Sequence, residues 1–335
     1  MTTVESEQVT GACPVCGERF APGDRFCEYC GSALTAQSAG EPVAALCTSC
    51  GAGQLDADGF CGVCGMRVHV PDRSELDLGG IVAAVTDLGK RHEHNEDAMA
   101  LRLVEGAVVL VVCDGVSSSE HADEAAQQAA VSAADRLVAE LEAGTDPESA
   151  TAAAVAVAAT AVSALGDRSE SSPACTYVSA VLTAAGVTVG WVGDSRAYWL
   201  ATDPYATPSQ CLTTDDSVAA GLIALGVTEE QAMSSPGAHT LTAWLGADAD
   251  RVEPHVHTFA PAGPGAVLVC SDGLWNYFSA ADALADLALP SAATAPLAAA
   301  HNLADLALAA GGGDNITVAV APFPAASLPS TPRMS

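Results

Sequence analysis

Five short motifs place acidic side chains beside apolar segments of the sequence. They are Asn95-Glu96-Asp97, Asp114-Gly115, Gly193-Asp194, Ser271-Asp272-Gly273 and Asp314-Asn315. Carboxylates that converge repel one another unless cations lie between them, and ligand sets made only of oxygen suit magnesium or manganese. A single Asp-Gly pair would be better explained as a turn. Five motifs that each begin or end an apolar run instead predict a divalent-cation site.

A second set of candidate ligands is a repeat of cysteine pairs near the start of the sequence. Each half of the repeat reads CxxC, ten residues, CxxC, and a glycine follows every pair. Four thiolates from two such turns form the tetrahedral ligand set of a structural zinc ion. A redox CxxC usually occurs once in a chain, so four copies disfavour a redox role. Iron fits the same four-sulfur geometry, but zinc is the usual structural metal. The pattern predicts two structural zinc ions, bound by Cys13, Cys16, Cys27, Cys30, Cys47, Cys50, Cys61 and Cys64.

The two kinds of ligand fall into different parts of the chain. We expect one zinc ribbon over residues 1–35, a second over 42–70, a linker over 71–78, a large cored domain over 79–323 and a flexible tail over 324–335. Each ribbon is too small to bury a hydrophobic core. Zinc binding is therefore expected to supply most of the ribbons' folding free energy.

Hydrophobic periodicity predicts the elements that position the acidic motifs. Buried strands are expected for six apolar runs, at residues 81–86, 107–114, 176–184, 187–195, 266–273 and 315–321. Helical spacing of alanine and leucine predicts helices at about residues 120–141, 148–165, 280–289 and 295–309. Strands combined with paired helices indicate sheets that are covered by helices.

The charge balance limits the classes of partner. The chain has 12 basic and 41 acidic residues, a formal net charge of −29, and such a surface repels nucleic acid and anionic membranes. The first residues are polar and acidic, unlike a secretory signal. The apolar stretch Thr151–Leu165 is too short to cross a bilayer. We therefore expect a cytoplasmic protein with no nucleic-acid or membrane partner.

Six segments, in this order, resemble the PPM family of type 2C metal-dependent serine/threonine protein phosphatases. They read TDLGKRHEHNEDA, VVCDGV, VGDSRAYW, CLTTDDS, LVCSDGLW and GGGDNITVAV. The resemblance covers about residues 79–322, and the cysteine repeat resembles a double zinc ribbon. Together, these two resemblances imply an α+β fold. The fold would be a four-layer α-β-β-α sandwich of two antiparallel sheets flanked by helices, preceded by two small zinc ribbons.

The resemblance also implies roles for the acidic motifs. Asp114 would bridge two manganese or magnesium ions, with the carbonyl of Gly115 as a further ligand, and Asp194 with Asp272 would hold a third ion. The catalytic metal set would comprise Asp97, Glu96, Asp114, Asp272 and Asp314. A hydroxide that bridges the metals would then hydrolyse phosphoserine and phosphothreonine in proteins. Substrates would be phosphoproteins made by a serine/threonine kinase, which indicates a signalling role.

The sequence departs from the family at the position of the arginine that usually binds the substrate phosphate. His92 occupies that position, with Arg91 next to it, and an imidazole is a weaker phosphate clamp than a guanidinium. We expect substitution of His92 to raise the Michaelis constant more than it lowers the turnover number. Arg196 is expected to form an ion pair, and the stretch Thr214–Pro236 corresponds to a mobile flap of the family.

Two other functions remain open at this point. The departure at His92 is compatible with a catalytically weak or silent phosphatase-like module that regulates or binds. Alternatively, the ribbons could carry the main function as an adaptor, although the acidity disfavours nucleic acid as their partner. A role of the ribbons in recruitment or regulation, with a protein partner, is also compatible with an enzyme.

Overall fold

The computed structural model describes residues 11–12, 19–20, 63–64, 73–166, 171–249 and 252–324. The chain divides into two units, Met1–Val70 and Pro71–Ser335. In the first unit β1 (Gly11–Ala12) pairs antiparallel with β2 (Arg19–Phe20), and the first CxxC lies between them in sequence. Of the predicted zinc ligands only Cys64 is among the described residues. The other seven, and the predicted tail beyond residue 324, lie outside them.

The second unit contains two antiparallel sheets. The first sheet has six strands in the order β11-β10-β14-β15-β4-β3. Their bounds are β3 Arg73–Asp77, β4 Ala83–Asp87, β10 Arg196–Ala201, β11 Gln210–Cys211, β14 Gly265–Cys270 and β15 Ile316–Phe323.

The second sheet has five strands in the order β13-β9-β8-β6-β5. Their bounds are β5 Asp97–Val104, β6 Ala107–Asp114, β8 Tyr177–Thr183, β9 Gly186–Val192 and β13 His255–Phe259. A separate two-stranded pair joins β7 (Ala174–Cys175) to β12 (Leu245–Gly246).

Helices cover the outer face of both sheets. The long pair α1 (Ala122–Glu142) and α2 (Pro147–Ser163) packs on the second sheet through fully buried alanines. The pair α6 (Ala281–Ala292) and α7 (Pro296–Ala310) packs on the first sheet. A third cluster, which includes Val108 and Val267, fills the space between the sheets. The predicted α-β-β-α sandwich is confirmed.

Three short helices complete the second unit: α3 (Val218–Ala224), α4 (Glu229–Met233) and α5 (Asp272–Trp275). The first two lie within the predicted flap and share a small cluster of buried alanines. No helix of the described segments is long and apolar enough to cross a membrane.

The structure differs from the sequence prediction at residues 71–78. This stretch was expected to be a linker, but β3 (Arg73–Asp77) lies within it and forms the edge of the first sheet. Because β3 is mostly exposed, it lacks the apolar run that revealed the interior strands. Side-chain contacts compensate, since Arg73 donates to Asp87 and Asp305, and His301 lies 2.8 Å from Glu75.

Candidate active site

The ends of strands from both sheets bring the acidic motifs together. Asp97 begins β5 and Asp114 ends β6, and these two residues are cross-strand partners. In the other sheet Asp272 closely follows β14, whereas Asp314 precedes the neighbouring strand β15. Asp194 lies in the connection between β9 and β10, which passes from one sheet to the other. The sandwich therefore gathers at one end residues that are far apart in sequence.

Four of these aspartates line one cavity of about 590 Å³. They are Asp114, Asp194, Asp272 and Asp314, and Gly115 lies beside them. Other parts of its wall are formed by the serines that follow Val116, and by His239, Trp244 and Asp248. The volume lies within the range of a small-molecule or side-chain binding site.

Asp97 is nearly buried and has one oxygen without a hydrogen-bond partner among the described residues. Its Oδ2 accepts a hydrogen bond of 2.7 Å from Ser271 Oγ, while its Oδ1 is buried and accepts none. Burial raises the pKa of Asp97 to about 7, and the negative charges of Asp272 and Asp314 add to this effect. A buried carboxylate oxygen of this kind is suited to contact a cation or a water ligand of a cation.

The pKa values of the other carboxylates in the cluster are also raised. Burial raises the pKa of Asp114 well above its ordinary value, and Asp97 and Asp272 raise it further. Burial together with Asp272 raises the pKa of Asp194 to about 7. The pKa of Asp272 rises to about 6, through burial and then through Asp314. Carboxylates that share a low-dielectric space resist ionisation, and divalent cations reverse this effect.

Hydrogen bonds hold the backbone at Asp114, the last residue of β6, and at Glu96, which precedes β5. Asp114 donates its N–H to Thr176 Oγ1 and accepts from the Thr176 N–H. Gly115 donates to the carbonyl of Glu96. A Cβ atom at Gly115 would lie 2.8 Å from that carbonyl oxygen and from Ala122 Cβ, so only glycine fits this approach.

The match to known families agrees with this geometry. Residues 89–307, more than half of the chain, match the family described as protein phosphatase 2C. The chain belongs to the protein phosphatase 2C family. Residues 13–65 match the double zinc ribbon family, which agrees with the cysteine repeat.

The proteins similar to this chain include mycobacterial phosphatases. The serine/threonine protein phosphatase PstP of Mycobacterium tuberculosis is 34% identical over 245 residues, which are 71% of this chain and 44% of that protein. The alignment thus spans less than half the length of the curated relative. The crystal structure of PstP/Ppp from M. tuberculosis has a TM-score of 0.58 at 28% identity, covering 72% of this chain and 97% of that one.

A further structure shows the PstP catalytic domain in complex with two manganese ions. It has a TM-score of 0.58 at 27% identity, and the match covers 72% of this chain and 96% of that chain. Manganese is thus a ligand of a solved member of the same family.

The predicted phosphate-binding residues of this phosphatase domain lie beside the acidic cluster. His92 Nε2 is 3.0 Å from Asp314 Oδ1, and Arg91 is exposed. Neither side chain, nor that of Glu96, is among the described groups that line the cavity. Glu96 is held through its backbone, because its N–H donates to Asn315 Oδ1 at 2.7 Å.

Arg196 forms the ion pair that was predicted from the sequence. Its guanidinium donates to both carboxylate oxygens of Asp215 at 2.8 and 2.7 Å, and it stacks 3.8 Å above the Trp275 ring. Trp275 in turn donates its indole N–H to the carbonyl of Asp194 at 2.9 Å. Arg196 therefore supports the backbone at Asp194.

Sequence reasoning missed several residues of the cavity wall. His239, Trp244 and Asp248 lie in a segment without a motif, so no sequence signal pointed to them. Trp275, which contacts Asp194 and Arg196, lies two residues after the SDG motif, and this proximity was the available signal.

Proposed function

We propose that the chain hydrolyses phosphoserine and phosphothreonine in proteins with the help of manganese or magnesium. The observation that carries this proposal is the acidic cluster, in which the pKa values of Asp97, Asp114, Asp194 and Asp272 are all raised. Such crowding is unfavourable for a metal-free structural role and favourable for a divalent-cation site. Family membership supports the choice of reaction.

The donor set consists of oxygen atoms, and we expect it to bind two or three divalent cations. Asp114, Asp272 and Asp314, together with the Gly115 carbonyl, would supply the hard oxygen ligands that manganese and magnesium prefer. The unpartnered Oδ1 of Asp97 would take part directly or through water. Glu96 would contribute in the same way, and Asp194 with Asp272 would hold a third ion.

The bound cations would supply a water nucleophile that ionises near neutral pH and would offset charge on the phosphoryl oxygens. The residues of the chain would position these cations and the substrate. Ser271 holds Asp97 by one oxygen, and Thr176 holds the backbone of Asp114. Arg91 and His92, at the edge of the cluster, would orient the substrate phosphate.

A phosphothreonine peptide assay tests this function. We expect turnover with manganese, loss of turnover when a chelator is added, and recovery when manganese is restored. Asp272→Asn should reduce turnover by at least about a hundredfold. Asp282→Asn, an exposed carboxylate at the start of α6, is the matched control and should keep wild-type activity. No turnover with manganese, or turnover that survives chelation, contradicts the proposal.

A weak or silent phosphatase-like module is the second candidate. It is favoured by the contact between His92 and Asp314, because a side chain held there is less available to a phosphate group. In that case manganese would still raise the melting temperature of the protein, while peptide turnover would remain at the level of Asp272→Asn.

For the N-terminal unit we propose two structural zinc ions and a role in recruitment or regulation through a protein partner. Eight cysteines in CxxC pairs also suit a reducing compartment such as the cytoplasm. Elemental analysis should give about two zinc ions per chain. Cys64→Ser should lower this to about one, and a value unchanged by Cys64→Ser contradicts its assignment as a ligand.

A further inference from the structure

Two neighbouring cavities share part of their wall. The catalytic cavity of about 590 Å³ includes Trp244 and Asp248. The same two residues line a second cavity of about 170 Å³. We call this smaller cavity the side recess. Its remaining wall is formed by Thr242, Ala243, Ala249, Val252 and Glu253.

The two shared residues form a fixed pair. Trp244 Nε1 donates a hydrogen bond of 3.1 Å to Asp248 Oδ1. Gly246 lies directly against this pair, since a Cβ atom there would be 2.7 Å from Asp248 Oδ1 and 3.1 Å from Trp244 Cδ1. A side chain at Gly246 would therefore displace one of the two partners, and the glycine keeps them together.

Strand pairing also holds the pair at a defined place relative to the acidic cluster. Leu245 and Gly246 form β12 and pair with Cys175 and Ala174 of β7. Cys175 in turn forms a bridge with Gly115, the neighbour of Asp114. Leu245 and Cys175 are fully buried, so this connection is part of the packed interior. The Trp244–Asp248 pair is thus built into the fold beside the catalytic carboxylates.

We propose that Trp244 and Asp248 form a subsite for an arginine or lysine side chain near the phosphorylated residue of a protein substrate. The proposal rests on the phosphatase function proposed above and adds a substrate class to it. A cation binds favourably over an indole ring, and the carboxylate of Asp248 can accept a further charge-assisted hydrogen bond. Ala243, Ala249 and Val252 offer an apolar surface to the aliphatic part of the side chain.

The size of the side recess suits a single side chain. Its volume is about 170 Å³. Binding sites for whole small molecules usually start at about 300 Å³. One long side chain entering from the catalytic cavity is therefore the matching occupant.

The chemistry of the wall argues against other occupants. An anion would meet the carboxylates of Asp248 and Glu253, and like charges repel. A divalent cation needs about six oxygen ligands, and these two carboxylates do not supply such a set. The cationic group of an arginine or lysine side chain needs fewer oxygen ligands than a metal ion, and the Trp244 indole ring would stabilise it further.

Binding of matched peptides tests the subsite without requiring turnover. Each peptide carries a non-hydrolysable phosphonate in place of the phosphate, and arginine replaces alanine at one position at a time. Fluorescence anisotropy with the full chain and manganese gives the dissociation constants. We expect one position at which arginine tightens binding by about tenfold. In Asp248→Asn and in Trp244→Leu the gain should fall below about threefold.

Two controls separate the subsite from general attraction to an acidic protein. Asp282→Asn removes an exposed charge away from both cavities and should keep the full arginine preference. Asp248→Arg should reverse the preference, so that glutamate at the same peptide position binds better than arginine. An equal arginine preference in Asp248→Asn and Asp282→Asn overturns the proposal, as does the absence of any preferred position.

The outcome is distinguishable from failure of the phosphatase function. If the arginine preference depends on Asp248 but no phosphopeptide is hydrolysed, the subsite stands and the enzyme function fails. If phosphopeptides are hydrolysed and the preference is insensitive to Asp248, the enzyme function stands and the subsite fails.

Discussion

Asp97 combines a buried carboxylate with an incomplete set of hydrogen bonds. Ser271 holds Oδ2, Oδ1 has no partner among the described residues, and burial raises the pKa to about 7. The residue therefore costs stability in the absence of cations. Its presence is explained by a function that requires negative charge there.

Replacement of Asp97 by asparagine should separate stability from function. The amide oxygen can still accept from Ser271, and the NH₂ group would face the neighbouring carboxylates favourably. We expect a higher melting temperature without manganese and a manganese affinity at least about tenfold lower. Calorimetry measures both quantities, and Asp135→Asn, at an exposed site on α1, serves as the control. A lower melting temperature of the metal-free variant would contradict the assignment.

His92 is the residue for which the structure adds most to the sequence prediction. The sequence predicts a rise in the Michaelis constant when His92 is substituted. Its 3.0 Å contact with Asp314 adds a second expectation, because the ring also orients a carboxylate of the cluster.

His92→Ala should therefore raise the manganese concentration that gives half-maximal activity, by up to about tenfold. The Michaelis constant for a phosphopeptide is then measured at saturating manganese. An unchanged Michaelis constant under these conditions rejects a role of His92 in phosphate binding. His94→Ala is the matched control, since His94 is exposed and contributes a backbone carbonyl to Asn315.

The edge strand β3 is held by side-chain contacts as well as by its pairing with β4. Its Arg73 pairs with the fully buried Asp87, which precedes the loop that carries Arg91 and His92. Asp87 Oδ1 also accepts the Gly89 N–H at 2.9 Å. The edge strand and the start of this loop are therefore joined through one carboxylate.

Arg73→Ala should destabilise the second unit by about 3 kcal/mol, because it removes an ion pair with a buried carboxylate. Urea unfolding measures the change. Arg102→Ala is the comparison, since its pair with Asp135 is more exposed and should contribute less than about 1 kcal/mol. Equal decreases in the free energy of unfolding would show that the Arg73–Asp87 pair stabilises the fold no more than the exposed Arg102–Asp135 pair does.

The elements that could be predicted from the sequence are those with a clear period. Helix α1 shows alanine and leucine at helical spacing, and the structure buries Ala126, Ala130 and Leu137 on that face. The strands that end in acidic motifs were predicted in the same way, because apolar runs mark buried strands. The remaining elements depend on pairing between segments that are distant in sequence.

The features that could not be predicted depend on contacts between distant segments. The polar strand β3 is recognisable only once Arg73 lies opposite Asp87. The Trp244–Asp248 pair is placed by strands of two residues, β7 and β12, which leave no hydrophobic pattern. The contact of His92 with Asp314 joins loops that are more than two hundred residues apart in sequence.

For the molecule as a whole, the acidic cluster links stability, pH and divalent cations. The folded pKa values of Asp97 and Asp194 are about 7, and that of Asp272 is about 6, against an ordinary value of 3.8. The unfolded chain therefore releases these protons at lower pH than the folded protein does. As pH rises from about 4 to about 7, the folded state loses stability relative to the unfolded state.

We expect the melting temperature of the protein without manganese to fall across this pH range, with the free energy of unfolding decreasing by a few kcal/mol. Added manganese should oppose the fall, and most strongly near neutral pH, where the carboxylates are ready to bind it. The net charge of −29 also destabilises the folded state as pH rises, through diffuse repulsion.

The double variant Asp97→Asn, Asp272→Asn distinguishes the two causes, because it removes two of the perturbed groups and changes the total charge only slightly. If the cluster dominates, the pH slope of this variant is much shallower than that of the wild type. A slope equal to that of the wild type would assign the effect to the surface charge instead.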